Sequence, residues 1–428
     1  MRKIIYIGTF LVLILIESLQ GQYAFNSPYS SVGFGDLSFK GFGRNRAMGG
    51  ITTALRDPAS IDFFNPAALS VRDTLSFIFD FGGTGKLSYL SDKNNEDIPW
   101  DVNFSHMAFS FPLNKKIALA GGVIPFSLVE YQAVDQIREG NADFNPEIGN
   151  YDYLYKGQGG LNKIFFGSGM QVTKKISLGL NVNYIFGNLK KIQSITYIEI
   201  PNAFHPKTEE EYIVSGFNYN FGAQYQTSLG KDVIMILGAN YTPGNKLNQT
   251  SNMLKSNVLI TTGGGSVSDT LESTSSGKVK AALPSSFGAG ISFNKDNKLL
   301  FGFDYKATQW SESTLMGNDS LLNSQSFHAG IEFTPDPRRL KSYLNQIHYR
   351  LGSYYTNSYL HLNGDQINDF GITFGVGLPV PQSRSTFNIA FELGKRGTTN
   401  DNLILENHAA ITFSLTMYEF WFQKRKYE

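Results

Sequence analysis

The chain has 428 residues, and its 37 Lys and Arg against 36 Asp and Glu leave a formal net charge of +1, which offers no polyanion-binding surface and no acidic tail. Charged residues make up only 17%, against roughly 25% in soluble domains. The absence of cysteine excludes disulfides, Cys-ligated zinc, thiol catalysis and a lipidated cysteine anchor.

At the N-terminus, Arg2 and Lys3 precede an apolar run from Ile4 to Ile16, and Glu17 to Gly21 leads into Gln22. A basic start, a short apolar run and a small residue at the break describe a secretory signal peptide over 1–21. The run falls short of the ~20 residues a spanning helix needs. No later stretch is long and apolar enough to be such a helix, so an exported chain that enters a membrane must do so with strands.

Residues 22–72 do not alternate. They carry Gly33-Phe34-Gly35-Asp36-Leu37, then Gly43-Arg44-Asn45-Arg46-Ala47-Met48-Gly49-Gly50-Ile51, then Asp57-Pro58 and Asn65-Pro66-Ala67. Asp57 and Asn65 stand where caps of short helices belong, each followed by a proline at a first helical position. Small and apolar side chains at this density can pack, and a wide barrel left empty would hold open water. The segment is therefore expected to be a hatch, or plug, inside the lumen of a barrel formed by 73–428.

From there the chain alternates with a period of two, and successive strand side chains point to opposite faces. Strands are expected near 75–82, 102–112, 117–131 and 161–172. Ile176, Leu178, Leu180, Val182 and Tyr184 oppose Ser177, Gly179, Asn181 and Asn183; Phe217, Tyr219, Phe221 and Tyr225 oppose Asn218, Asn220 and Gln224. Segments near 232–242 and 285–294 follow, then Leu299, Phe301, Phe303 and Tyr305 against Gly302, Asp304 and Lys306. Segments near 326–334, 345–356 and 368–378 lead to Phe387, Ile389, Phe391 and Leu393, and to Ala409, Ile411, Phe413, Leu415 and Met417. Connections alternate between short (Thr173–Lys175, Asn294–Lys298) and long (132–160, 243–280), with Pro335 to Asn345 longer than the rule allows. Greasy-out, polar-in strands joined by alternating short and long connections read as an all-β transmembrane antiparallel barrel of about fourteen strands. A soluble sandwich also alternates, but its charged set would face water on the outside. The aromatic run Phe420-Trp421-Phe422 closes the last strand as a membrane rim, and the basic tail Lys424-Arg425-Lys426 reads as solvated.

The stretch Gly43 to Leu69, with its Ala47-Met48-Gly49-Gly50-Ile51 run and its Asn65-Pro66-Ala67 tripeptide ahead of the first strand, resembles the FadL/TodX family of outer-membrane transporters for hydrophobic compounds. The resemblance implies a fourteen-stranded barrel, a lumenal hatch and energy-independent uptake of long-chain fatty acids or other oily molecules. It also implies capture at external loops and lateral release through a kinked third strand. Asn65, Pro66 and Ala67, and more loosely Gly49 and Gly50, carry the hatch motif.

The third strand gives a separate physical clue. Gly121, Gly122 and Pro125 lie in one strand, and paired glycines with a proline mark a bend or a broken ladder, so these three are candidates for a lateral gate. Arg44, Arg46 and Arg56 of the hatch are expected to pair with inward-facing Asp80, Asp304, Glu332 and Glu392, since Arg forks onto carboxylates. Phe144, Tyr151, Tyr153, Tyr155, Leu254 and Leu259 in the longest connections are candidates for apolar ligand capture. The six histidines are dispersed without metal-ligand spacing, and neither a G-x-S-x-G elbow nor a phosphate loop is present. No catalytic residue, metal or cofactor is expected, so the chain reads as a non-enzyme.

The functional expectation is passive uptake of hydrophobic molecules across the outer membrane of a Gram-negative bacterium. The implied partners are outer-membrane lipid and a hydrophobic small-molecule ligand, with no nucleic acid, and the barrel is expected to be monomeric. The alternative is a non-transporting barrel that serves a secretion machinery as a protein-interaction accessory.

Overall fold

In the computed structural model, residues 27–37, 41–260, 266–314, 321–336 and 342–421 are described. The expected signal peptide and the basic tail lie outside these residues. Fourteen antiparallel strands form one sheet: β1 (Ser76–Ser91), β2 (Trp100–Pro112), β3 (Ile117–Leu128, resumed at Tyr131–Ile137), β4 (Tyr151–Gln171), β5 (Ile176–Tyr197), β6 (Phe204–Leu229) and β7 (Val233–Thr242, resumed at Asn245–Ile260). They continue with β8 (Ser266–Leu283, resumed at Ser286–Lys295), β9 (Leu299–Thr308), β10 (Ser324–Phe333), β11 (His348–Leu362), β12 (Asp365–Pro379), β13 (Thr386–Arg396) and β14 (Leu405–Phe420). β1 pairs with β14 in unbroken register from Ser76↔Phe420 to Ser91↔Leu405, which closes the sheet into a barrel. Closure removes the sheet edge, whose unpaired N–H and C=O groups hydrocarbon cannot satisfy.

The alternation sorts the wall into two chemistries. Phe301, Phe374, Leu393 and Phe413 point outward and are exposed, whereas Asn181, Asp304, Thr373 and Thr412 point inward and are buried. β9 and β10 have ten residues each. At roughly 3.4 Å per residue and a tilt near 40° that length spans about 25 Å, the height of an apolar membrane band. Phe77 stacks on Trp421 with ring centroids 3.9 Å apart at the end where the connections are short.

The other end is taller than the alternation suggests. Much of what reads as long connections (132–160, 199–212, 243–280) is strand: β4 pairs with β5 as far as Tyr151↔Tyr197, and β6 pairs with the upper half of β7 as far as Phe204↔Leu259. Polar residues fall on both faces of these extensions and break up their apolar ones, so no clean period of two marks them. Backbone ladders and cross-strand pairs such as Lys190–Glu209 hold them instead. Pro243 and Pro284 interrupt β7 and β8 at matching heights, where a missing N–H ends a ladder.

Residues 27–37 and 41–72 run down the inside of this wall. The segment starts at the tall end, where the Ser27 hydroxyl donates to Glu406 at the head of β14. It passes through a single helical turn, α1 (Gly43–Arg46), and ends in a 3-10 turn over Pro66–Val71 just before β1.

Candidate functional site: the filled lumen and its seam

The Asn65-Pro66-Ala67 tripeptide is where the segment grips the wall. The Asn65 side-chain oxygen accepts from the Ala67 N–H (3.2 Å), capping the 3-10 turn. Its amide nitrogen donates to Thr53 O (2.7 Å) within the segment and to Ala223 O (3.2 Å) and Ala239 O (3.4 Å) on β6 and β7. An amide offers two donors and an acceptor at one atom's reach, which neither Asp nor Leu supplies. Higher up, Gly49 sits at φ +68°, and a Cβ there would lie 2.6 Å from Ala329 O on β10. Its N–H donates to Thr373 Oγ1 on β12 (2.8 Å), and Gly50, at φ +83°, donates to Asn45 O (2.8 Å).

The wall answers with glycines of its own. From β4 to β12 each strand turns one glycine inward against the segment: Gly169, Gly179, Gly222, Gly238, Gly290, Gly302, Gly330, Gly352 and Gly375. Several are cross-strand neighbours, among them Gly169↔Gly179↔Gly222 and Gly302↔Gly330↔Gly352. A Cβ at Gly302 would stand 2.6 Å from Ile51 Cδ1, and one at Gly352 would stand 2.8 Å from Met48 Cα. Backbone thus packs on backbone at Gly169, Gly179, Gly222, Gly238, Gly330 and Gly352, while Gly290, Gly302 and Gly375 make room for side chains of the segment. Sequence reasoning missed this belt, although its signal is present as one inward-parity glycine per strand at a common height.

Charges complete the fit. Arg44 forks onto Glu332 of β10 through Nη2 (2.9 Å) and Nε (3.1 Å), and it also pairs with Asp57. Arg350 of β11 meets the same carboxylate at 2.6 Å and donates to Asn388 Oδ1 at 2.7 Å. Asp304 accepts from the backbone N–H groups of Thr52 (2.6 Å) and Thr53 (2.7 Å), while Asp80 is held within the wall by His106 (2.7 Å) and Thr416 (2.7 Å). Arg56 donates to Ser70 Oγ at 3.2 Å, inside the segment, and so does not join the wall carboxylates. Arg46 donates to Gly41 O (3.2 Å), and it lines the same cavity as Glu392. Asp62 accepts from the N–H groups of Phe64 (2.9 Å) and Asn65 (3.3 Å) through Oδ1, and Oδ2 has no partner among the described residues. Burial pushes its carboxyl up to about 7.

At the tall end the bore is sealed by an apolar cluster. Tyr29 and Phe34 pack with Leu189, Val214, Trp310 and Tyr359, and the Phe34 and Trp310 rings lie 5.1 Å apart. Beside it Lys86 bonds Glu406 (2.7 Å), and Arg396 bonds Asp36 (3.3 Å).

The residues singled out for capture do not converge. Tyr151, Tyr153 and Tyr155 lie on β4, where the Tyr151 hydroxyl donates to Asp143 O (2.9 Å), and Phe144 is half-buried in the connection ahead of them. Leu254 and Leu259 lie on β7, three strands away and half-buried. The gate residues also separate. Gly121 and Gly122 are paired on both sides, with Phe109 and Ala108 of β2 and with Phe166 and Phe165 of β4. The ladder between β2 and β3 stops just above them, at Met107↔Val123, and a register shift toward β4 follows Pro125. In place of β2, Asp36 of the lumenal segment bridges to Leu128 through two backbone hydrogen bonds (2.7 and 3.0 Å). A cavity of about 250 Å³ lies behind this seam. Among the described residues no three His, Asp or Glu side chains are grouped to hold a metal.

A closed fourteen-stranded barrel, apolar outside and filled by its own leading segment, has the architecture of outer-membrane channel proteins. Among solved structures the chain is similar to the Ralstonia pickettii toluene transporter TbuX (15% identity, TM-score 0.59, covering 89% of this chain and 99% of that one). It is similar to the CymD monoaromatic hydrocarbon channel (15%, TM-score 0.57, 91% and 100%) and to a Pseudomonas aeruginosa FadL homologue (12%, TM-score 0.56, 89% and 98%). Identities this low establish the fold alone. The family model that matches is BamG, over residues 1–428, and the chain belongs to the BamG family. The FadL/TodX resemblance therefore holds as a shared fold, while the family is a different one. No curated protein matches the chain.

Proposed function

We propose that this chain is an outer-membrane barrel of a Gram-negative bacterium that does not transport and acts as a membrane-embedded accessory, offering its surface to a secretion machinery. Its tall end then faces outward and its short turns face the periplasm. The observation that carries this reading is the glycine belt: a segment seated against inward glycines of nine strands, backbone to backbone on six of them, is a fixture of the fold. Removing it would strip buried polar groups of their partners at about 1–3 kcal/mol each. Membership of a family distinct from the hydrocarbon channels supports the same reading. Mild extraction of outer membranes followed by native electrophoresis tests it. We expect the chain to migrate within one discrete large complex containing secretion components; migration as a free monomer defeats the proposal.

A second reading keeps a specific observation in its favour. The β2–β3 ladder stops at Met107↔Val123 with a cavity behind it, which supports uptake of hydrophobic molecules such as long-chain fatty acids with lateral release at Gly121, Gly122 and Pro125. Under this reading, replacing Gly121 and Gly122 by Val lowers uptake of labelled oleate into liposomes at least several-fold. Equal uptake by empty liposomes and by liposomes holding the wild-type barrel rejects it.

A further inference from the structure

Above the apolar band, the outward face of the wall turns basic on β7 and β8. Leu247 and Ala281 are buried in the apolar cluster at the tall end, so Lys246 and Lys280 beside them point to the outside. Lys278 shares the parity of Lys280. The register runs Lys246↔Ala282, Asn248↔Lys280 and Thr250↔Lys278. Lys280 therefore stands between the other two, about 7 Å from Lys278 along the strand and roughly 7–8 Å from Lys246 across the diagonal. All three lysines are exposed, and none makes an ion pair among the described residues. The outward acids of neighbouring β6 are already engaged. Glu209 pairs with Lys190 and Lys207 (2.5 Å each), and Glu211 accepts from Asn188 (3.1 Å) and Asn252 (3.4 Å).

The basic patch begins where the outward aromatics end. Tyr184 of β5 and Phe217 of β6 are exposed on the outside, with ring centroids 5.1 Å apart. The Asn245 amide, next to Lys246, donates to Phe217 O, and Asn248 pairs with Ser215 just above it. Tyr241 and Phe287 continue the exposed row on β7 and β8 below Pro243 and Pro284. Rings at the upper end of membrane strands mark the headgroup level, so the three ammonium groups lie at or just above that level.

We infer that Lys246, Lys278 and Lys280 bind the phosphate monoester of an outer-leaflet glycolipid. Three uncompensated ammonium groups around one point match a group that carries close to two negative charges, as phosphate monoesters do near pH 7. A singly charged phosphodiester matches them less well. Lysine meets a phosphate as a point charge on a flexible stem, and that stem can lie along apolar surface while its head stays in the headgroup layer. The exposed rings below the patch give the lipid's acyl chains an apolar wall to lie against. The inference rests on the outward orientation of the tall end given above, and on neither a protein partner nor transport.

Native mass spectrometry of the full-length barrel in a neutral detergent, titrated with diphosphorylated lipid A, its dephosphorylated form and phosphatidylglycerol, tests it. We expect one diphosphorylated lipid A per barrel, held at least tenfold more tightly than either of the others. Lys246→Gln, Lys278→Gln and Lys280→Gln together lower that retention at least tenfold. Lys115→Gln, Lys116→Gln and Lys174→Gln, exposed at the short-turn end, leave it unchanged. Should the first triple variant lose the heat-modifiable mobility of a closed barrel, Lys280→Gln alone carries the test, with at least a threefold loss. Equal binding of diphosphorylated lipid A and either comparison lipid, unchanged retention in a folded variant, or an equal loss in the short-turn variant overturns the inference. So does release of the lipid by an equal concentration of inorganic phosphate, which would mark a site for a free anion.

Discussion

Asp62 shows how the lumen sets the behaviour of single residues. It sits among buried groups with one carboxylate oxygen that has no partner among the described residues, and burial raises its carboxyl from 3.8 to about 7. A raised folded-state value means that the neutral acid is the form that fits. The stability it contributes is complete below about pH 4, declines as pH rises, and is gone once pH has passed about 7. Protease resistance of the 27–72 segment, measured between pH 4.5 and 8, should fall across this window in the wild type. In Asp62→Asn that fall should shrink; an identical profile in the two proteins removes Asp62 as its cause. Asn65 works by a different route, since its side chain joins the 3-10 turn to β6 and β7 without titrating.

At the scale of elements, the glycine belt and the tall hairpin obey different rules. Gly179 lies where a Cβ would enter the backbone at Pro66 and Ala67, so Gly179→Val cannot be absorbed by turning a side chain aside. We expect the variant to close as a barrel, with the heat-modifiable mobility of the wild type, and to show persistent ion conductance in planar bilayers because the segment no longer seats. Unchanged conductance would mean that the seat tolerates bulk. The β7–β8 extension above Pro243 and Pro284 touches little of the lumen, and residues 266–280 are exposed on both faces. Replacing residues 248–278 by a two-residue turn should leave assembly and mobility intact and shift Tm by only a few degrees. Failure to assemble would show that the hairpin is part of the folding core. The extension was illegible in the sequence because Ser, Thr, Lys and Glu occupy both of its faces. The membrane-height strands were legible because hydrocarbon and lumen impose opposite chemistries on alternate residues.

At the scale of the whole molecule, transport and accessory roles make opposite demands on one object. A transporter needs a segment that yields and an apolar path through the bore. Here the bore holds paired charges, close backbone contacts on six strands and an apolar cap built from Tyr29 and Phe34. Even the seam, where the β2–β3 ladder stops, is bridged by Asp36. The native-electrophoresis and oleate-uptake experiments above therefore separate the two roles at this scale, since a fixed stopper predicts a complex without flux.

The amino-acid sequence by itself determined the barrel, its strand number, and which side chains face out, because each of those follows from a local period of two read against a membrane. It also marked Arg44 and Glu332 as opposite charges on segment and wall. Only the tertiary structure decided which partners meet. Arg44 forks onto Glu332 while Arg56 turns to Ser70, and Asp304 serves backbone N–H groups in place of an arginine. The break in pairing falls between β2 and β3 above Gly121 and Gly122, where those glycines lie in an intact ladder. These outcomes depend on the register between strands far apart in the chain and on the depth to which the segment sits, and no local pattern encodes either.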